Sequence, residues 1–285
     1  MTENTIMIKD RVRIVADSSS DVLALENMNF ANAPLKIITS EKEYVDNAEL
    51  NVEGMVEDLL KYNGKSSTSC PNPQDWLSVF GDADYVFCVT ITSNLSGSYN
   101  AACLAKNIYE QENKGKRVYV VNSYSTGPEM RLIIEKLCEL VDEGNTFDDA
   151  CKKIEEYMKK TGLLFVLQSM KNLANNGRVS HLAAKMAGIL GIRAIGKASD
   201  IGTLEMLEKA RGEKGAVDSL IKHLKELGYK GGRVRIAHCL NVGFANAVKE
   251  KILADFEKAH IEICECRGLC SFYAEKGGLL MGFEK

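Results

Sequence analysis

The stretch from Tyr85 to Lys106 constrains the fold more than any other part of the chain. Tyr85-Val86-Phe87-Cys88-Val89-Thr90-Ile91 is β-branched and apolar, the composition of a strand buried on both faces. Thr92-Ser93-Asn94-Leu95-Ser96-Gly97-Ser98 follows as a polar turn with one glycine. A helix is then expected from Tyr99 to about Gln111, with Tyr99, Ala102, Cys103 and Lys106 at helical spacing. Strand, turn and helix make half of a βαβ unit. Its turn lies at the carboxyl end of the strand, where open α/β sheets bind ligands. Free backbone N–H groups at a helix start, flanked by hydroxyls, attract an anion. The same hydroxyls cap helices with no ligand present, so this stretch alone leaves both readings open.

The pattern recurs through the first half of the chain. A strand is expected over 12–16, ending in the turn Asp17-Ser18-Ser19-Ser20-Asp21, with helical residues over 22–27. Another strand is expected over 34–39. Asn51 suits the cap of a helix whose Val52, Met55, Val56, Leu59 and Leu60 form one apolar face. A hydroxyl-dense loop over 64–73 leads to a helix capped by Asn72, with Pro73 at its first position and Trp76, Leu77 and Phe80 facing the core. A strand over 118–122, a third polar turn over 123–127 and a helix over 128–143 come next. Thr146 with Asp149 resembles a capping box for a helix running to Lys160.

After Thr161-Gly162 the order of elements changes. A strand over 163–167 and a short helix over 170–174 are followed by a helical run over 181–190. Residues 193–199 and 203–210, joined by Asp200-Ile201-Gly202, form an expected hairpin. Helices over 215–227 and 245–259 alternate with strands over 234–238, 261–266 and 278–283. The expected fold class is α/β in two domains. Residues 1–160 form an N-terminal doubly wound domain with a mainly parallel sheet, and residues 161–285 a C-terminal α/β domain with a mixed or antiparallel sheet.

Several function classes are set aside on composition and spacing. The net charge is −3, from 36 Lys+Arg against 39 Asp+Glu, which argues against bulk nucleic-acid binding. No apolar run is long enough to span a bilayer, and residues 1–10 lack a signal-peptide core, so a cytoplasmic location is expected. The nine cysteines are an odd number in a large chain, which disfavours a disulfide scaffold. Cys88, Cys103, Cys138 and Cys151 sit among apolar residues and are expected as small buried hydrophobes. His260, Cys264, Cys266 and Cys270 are the one metal-like grouping, but no C-x-x-C pair exists, and no metal is expected. Neither a G-x-G-x-x-G nor a G-x-x-x-x-G-K-[ST] motif is present, so the chain has no nucleotide signature of its own. Ser93 and Ser96 lack a G-x-S-x-G elbow, and His181, His223, His238 and His260 sit in no triad setting. The three polar turns suit a shared acceptor for a small anionic head group.

Thr68-Ser69-Cys70-Pro71-Asn72-Pro73 resembles the T-S-Q-P-S-P element of the DegV family, the fatty-acid-binding subunits of bacterial fatty acid kinase. Asp17 to Asp21 resembles that family's first turn, and Thr92 to Tyr99 its S-x-L-S-G-T-Y turn. Asn176-Gly177-Arg178-Val179-Ser180 is similar to its G-G-R-I-S element, and Lys209-Ala210-Arg211-Gly212 to a later K-V-R-G stretch. Five short motifs in the right order cover essentially the whole chain.

The resemblance implies a lipid tunnel between two α/β domains and a role in phospholipid metabolism. It implies a long-chain fatty acid as bound ligand, no other cofactor, and presentation of the carboxylate to a separate ATP-dependent kinase subunit that makes the acyl phosphate. The chain itself is then a non-catalytic subunit. Carried over by motif, Thr68 and Ser96 are the expected carboxylate donors, with Ser69, Ser93 and Gly97 beside them, and Arg178 matches an arginine associated with phosphoryl transfer. Ala183, Met186, Ala187, Ile189 and Leu190 are candidate tunnel-lining residues. Two departures stand out. The family's H-x-G-P-G element is replaced by Ser271 to Gly278, which puts Tyr273 at or near the histidine position, and Cys70 replaces glutamine. Two other readings are an enzyme acting on a small anionic substrate with Ser93 or Ser96 as nucleophile, and a lipid-sensing regulatory protein without a kinase.

Overall fold

The computed structural model describes residues 7–179 and 191–285. Among them, in chain order, come β1 (Val12–Asp17), β2 (Phe30–Ala33), β3 (Lys36–Ile38), β4 (Glu43–Val45), α1 (Val52–Lys61), β5 (Ser67–Ser69) and α2 (Pro73–Phe80). Next are β6 (Tyr85–Thr90), α3 (Ser98–Glu112), β7 (Arg117–Asn122), α4 (Gly127–Asp142) and α5 (Phe147–Met158). The second half holds β8 (Thr161–Leu167), α6 (Lys171–Asn175), β9 (Ile192–Ala198), β10 (Leu204–Arg211), α7 (Gly212–Glu226) and β11 (Arg233–His238). It closes with α8 (Val242–Asp255), β12 (His260–Glu265), α9 (Gly268–Ala274) and β13 (Leu279–Glu284).

The first domain is a parallel four-stranded sheet in the order β2-β1-β6-β7. The two-residue period of β1 sends Ile14 and Ala16 to one face and Val15 to the other. On one side Met130, Ile133, Ile134 and Leu137 of α4 and Phe147 and Ile154 of α5 cover Ile14, Phe87 and Val121. On the other, Trp76 and Phe80 of α2 and Ala102, Ala105 and Tyr109 of α3 cover Val15, Val86 and Cys88. Helices therefore lie on both faces, the doubly wound arrangement. Asn72 caps α2 through a full capping box with Asp75, and Asn51 caps α1 by accepting from Gly54 N–H.

The second domain is a six-stranded mixed sheet in the order β10-β9-β8-β13-β11-β12. Only β11 and β12 run parallel; the other neighbours are antiparallel. One face carries α7 and α8, with Leu164, Val166 and Ile236 packed beneath Leu220 and Phe244. The opposite face presents Leu163, Phe165, Leu167 and Leu280 towards α9 and the first domain.

Several expectations from the sequence are corrected. Residues 22–27 are not helical: Asp21 and Asn27 both take left-handed backbone, at φ 58° each, which interrupts a right-handed helix at both ends. The strand expected over 34–39 shrinks to β3 and leaves the parallel sheet. It pairs antiparallel with β4 and β5 in a separate three-stranded sheet. The parallel neighbour of β1 is instead β2. Leu60 faces solvent rather than the α1 core. Cys103, Cys138 and Cys151 are half-buried, whereas Cys88 is buried. The expected helix over 181–190, with Ala183, Met186, Ala187, Ile189 and Leu190, lies outside the described residues. Among the described residues no helix is long and apolar enough to cross a membrane.

Candidate functional site

A cavity of about 280 Å³ opens where the carboxyl end of β6 meets the second sheet. Its apolar lining comes from both domains: Leu35 and Ile91 from the first, Phe165, Leu167 and Leu280 from the mixed sheet, and Leu269 from α9. Phe165 and Leu280 are direct partners across β8 and β13, so the pleat places them on one face.

A set of polar groups gathers in the same cavity. Thr68, Ser69, Ser96, Gly97, Arg178 and Tyr273 all line it, and Cys70, Thr126 and Cys270 lie among them. Thr68 Oγ1 and Tyr273 Oη are 2.8 Å apart. Two hydroxyls share one proton in that bond, so one O–H remains to donate to a ligand. Ser96 Oγ accepts from Ser98 N–H at 3.3 Å, which directs its own proton elsewhere. Arg178 follows Gly177, whose φ of 74° closes α6 in the left-handed region. Its Nε donates to Leu95 O at 3.2 Å and its Nη1 to Asn176 O. No carboxylate pairs with it among the described residues, so its charge is left for an incoming anion. The turn thus folds Arg178 in over Leu95, half-buried, rather than projecting it outward.

Burial raises the Tyr273 hydroxyl above its ordinary value, although the Thr68 bond and the Arg178 charge pull the other way. Tyr273 is therefore a neutral donor at any working pH. Burial likewise raises the Cys70 thiol, opposed by hydrogen bonds from Ser96 and Gly97. A neutral thiol is a poor nucleophile and a tolerable lining for a lipid.

Ser93 is not brought to this group. Its Oγ accepts from Asn122 Nδ2 at 2.8 Å and its N–H donates to Asn122 Oδ1 at 3.1 Å, which locks the turn to the end of β7. The other two hydroxyl-rich turns are mostly used internally. Asp17 accepts from Ser19 Oγ at 2.5 Å, Ser98 Oγ at 2.6 Å and Ile91 N–H at 2.9 Å, joining β1, β6 and α3. Ser18 Oγ accepts from Leu35 N–H, and Ser123 and Ser125 bond to one another. Only Thr126 of the third turn reaches the cavity, and no residue from 17 to 21 does. The expectation that all three turns share one anion is corrected in that respect.

The sequence did not mark Thr126 or the apolar wall as lining, and it marked Cys270 only as part of a metal-like grouping. Residues 163–167 are apolar throughout, and only the two-residue period of a strand puts Phe165 and Leu167 on the face opposite Leu164 and Val166. The wall of α9 is held by two acidic residues remote in sequence. Asp46 Oδ1 accepts from Gly268 N–H at 2.7 Å and its Oδ2 from Leu269 N–H at 2.8 Å. Asp21 Oδ1 accepts from Arg267 N–H at 2.7 Å, while its Oδ2 is buried without a partner. Burial raises both carboxyls, Asp21 to about 8.

None of His223, His238 and His260 lines the cavity. His223 bonds to Glu208 and Glu226, and His238 Nδ1 lies 3.3 Å from Asn241 N–H. Among the described residues no three His, Cys, Asp or Glu side chains gather as metal ligands.

A family model described as "Uncharacterised protein, DegV family" matches residues 11–284. A DegV domain-containing protein of Streptococcus pneumoniae is 43% identical over 276 residues, which cover 95% of this chain and 98% of that protein. The crystal structure of a DegV family protein from Eubacterium eligens, loaded with heptadecanoic acid, superposes with a TM-score of 0.94 at 41% identity, covering 96% of this chain and 99% of that one. The fatty acid kinase (Fak) B3 protein of Streptococcus pneumoniae, loaded with linoleic acid, gives a TM-score of 0.93 at 43% identity, with coverage of 96% and 99%.

Proposed function

Because this chain belongs to the DegV family, we propose that it binds a long-chain fatty acid in the cavity between its domains and presents the carboxylate to a separate ATP-dependent kinase subunit. The two walls are residues 1–160 and 161–285, and the protein acts in the cytoplasm. The observation that carries the reading is the gathering of Thr68, Ser96, Tyr273 and Arg178 in a cavity otherwise lined by Leu, Ile and Phe. Such a lining suits a ligand with one anionic head and a long apolar tail. The relatives loaded with heptadecanoic and linoleic acids support the ligand class, and the fatty acid kinase B3 relative supports the kinase partner.

In this reading Thr68, Ser69, Ser96 and Tyr273 offer hydroxyls to the carboxylate and Gly97 its backbone N–H, while Ser93 holds the turn. Arg178 sits beside the carboxylate for the incoming phosphoryl group, for which a planar guanidinium is suited. The chain contributes no nucleophile and is a binding subunit, not the catalyst. Burying about fourteen methylenes at ~0.8 kcal/mol each supplies on the order of 11 kcal/mol before association and ordering costs. Hydrogen bonds to the charged head add about 1.5–3 kcal/mol each, so tail and head both contribute to affinity and the head sets orientation.

The test is denaturing organic extraction of protein purified without added lipid, followed by mass spectrometry. A long-chain fatty acid is expected at about one per chain, as for a preformed pocket that buries most of its ligand. Recovery of a polar metabolite alone, or of nothing, overturns the proposal.

A further inference from the structure

The head-group hydroxyl Tyr273 is carried by α9, a helix of only seven residues. So short a helix has little stability of its own. Its placement must come from what grips it. The three-stranded sheet does so at two points. At one end β5 supplies Thr68, whose Oγ1 lies 2.8 Å from Tyr273 Oη. At the other end Asp46, one residue beyond β4, accepts from both Gly268 and Leu269 N–H. Asp46 is itself tied back to the sheet edge, since its N–H donates to Leu35 O at 2.9 Å. Its side chain is buried, and 222 residues separate it from Gly268. The fit is tight: a Cβ on Gly268 would lie 2.7 Å from Asp46 Oδ1 and 2.6 Å from Leu50 Cδ2. Only glycine lets the helix start come this close.

We propose that Asp46 is a positioning residue for the head-group site, fixing the start of α9 against the three-stranded sheet so that Tyr273 meets Thr68. This rests on the reading that the cavity holds a fatty acid. An ordinary helix cap would stabilise α9 and nothing more. Here the cap and the head-group hydroxyl are held by the same small sheet. A shift at Asp46 is therefore carried by one helix from Gly268 to Tyr273, five residues on.

The experiment uses the full chain, stripped of lipid, with heptadecanoic acid and its methyl ester as probes. The ester keeps the tail and lacks the charged head. Asp46→Asn puts an amide N–H against a backbone N–H and breaks one of the two bonds. It is expected to raise the Kd for the acid about tenfold, the scale of one hydrogen bond to a charged group, and to leave the ester's Kd unchanged. In a Tyr273→Phe background the same change is expected to add almost nothing, since Asp46 acts through Tyr273. Gly268→Ala is the second variant. It displaces the helix start without altering charge, and gives the same pattern should Asp46→Asn not fold. Equal losses for acid and ester, or additive losses with Tyr273→Phe, overturn the proposal and make Asp46 a structural cap. A readout without ligand separates this from the fatty-acid reading. The fluorotyrosine resonance of Tyr273, assigned through Tyr273→Phe, is expected to shift in both variants, and an unmoved resonance overturns the proposal. A wild-type chain that binds neither probe while its Tyr273 resonance still moves in the variants sinks the fatty-acid reading and leaves the coupling standing.

Discussion

Along α4 the two domains are joined by paired charges; at the cavity rim away from α9 they are joined by lone bonds to backbone carbonyls. On the α4 side, Arg235 of β11 grips Glu135 through two bonds, at 2.9 and 2.7 Å, with Arg235 almost fully buried. Arg131 bridges Glu135 and Glu262, and Arg233 bridges Glu139 and Glu284. Tyr157 of α5 adds a bond to Glu284 at 2.8 Å. At the cavity rim away from α9 the domains touch through single bonds to backbone carbonyls. Asn94 donates to Ile201 O at 2.5 Å, Arg178 to Leu95 O at 3.2 Å and Asn176 to Ser66 O at 3.3 Å. Paired buried charges tolerate little movement, because separating them strands a charge in a low dielectric. Single bonds to carbonyls at a half-exposed rim are exchanged for water at smaller cost than paired charges. The domains are thus fixed on one side, and the void is kept on the other.

The largest test of that contrast is Arg235→Ala. It strands Glu135 with only Arg131 and is expected to cost about 3 kcal/mol, read as a fall in melting temperature of several degrees. A loss below about 1 kcal/mol would place the α4 side with ordinary surface pairs and erase the difference. On the cavity side, Thr68→Ala combined with Ser96→Ala removes two hydroxyls that sit in short elements rather than in packed core. Fatty-acid affinity is expected to drop by about 3 kcal/mol while stability changes by at most about 1 kcal/mol. An unchanged Kd in the folded variant removes both residues from the site. The paired variant Arg178→Ala separates binding from transfer: near-normal Kd, but acyl-phosphate formation with a kinase subunit reduced about tenfold or more, with Arg178→Lys recovering part.

The last test concerns pH. The Asp21 carboxyl stands at about 8 in the folded chain against an ordinary 3.8, chiefly through burial. The folded protein therefore holds a proton that the unfolded chain has released across that window. The contribution to stability is fully present below 3.8 and is lost as pH rises towards about 8, at no more than ~1.4 kcal/mol per unit. Asp17, Asp46 and Glu129 are raised by burial too and tilt the curve the same way. Melting temperature should fall from pH 5 to pH 8, and Asp21→Asn should flatten part of the slope. An identical slope in the variant would assign it to the other three.

The elements that carried strong periodicity were legible in the sequence. β6 and α3, α4 with its apolar stripe, and the β9–β10 hairpin all lie within a few residues of expectation. β2 was not, because Phe30-Ala31-Asn32-Ala33 has no β-branched residue and its pairing with β1 is a property of the sheet. β4 and β5 have three residues each, too few to show a period. α9 begins at a glycine and is capped from a residue far away in sequence, so none of the local start signals apply. For the same reason no local pattern marks Asp46. Motif resemblance pointed to Thr68, Ser96, Arg178 and Tyr273, which the fold does gather, and to Ser93, which it turns towards Asn122. Phe165, Leu167 and Leu280 read as core in the sequence, because a cavity lining and a packed core use the same residues.

The last strand of the sequence, β13, lies in the interior of the mixed sheet, between β8 and β11. Leu280 on that strand is part of the cavity wall. During synthesis the first domain can assemble while the second is still emerging, since domains fold as units as the ribosome releases them. The second sheet has no such option. β8 and β11 remain unjoined, and the wall opposite Ile91 remains open, until residue 284 has left the exit tunnel. The compartment therefore cannot close before β13 has emerged, because that strand joins the two halves of the second sheet.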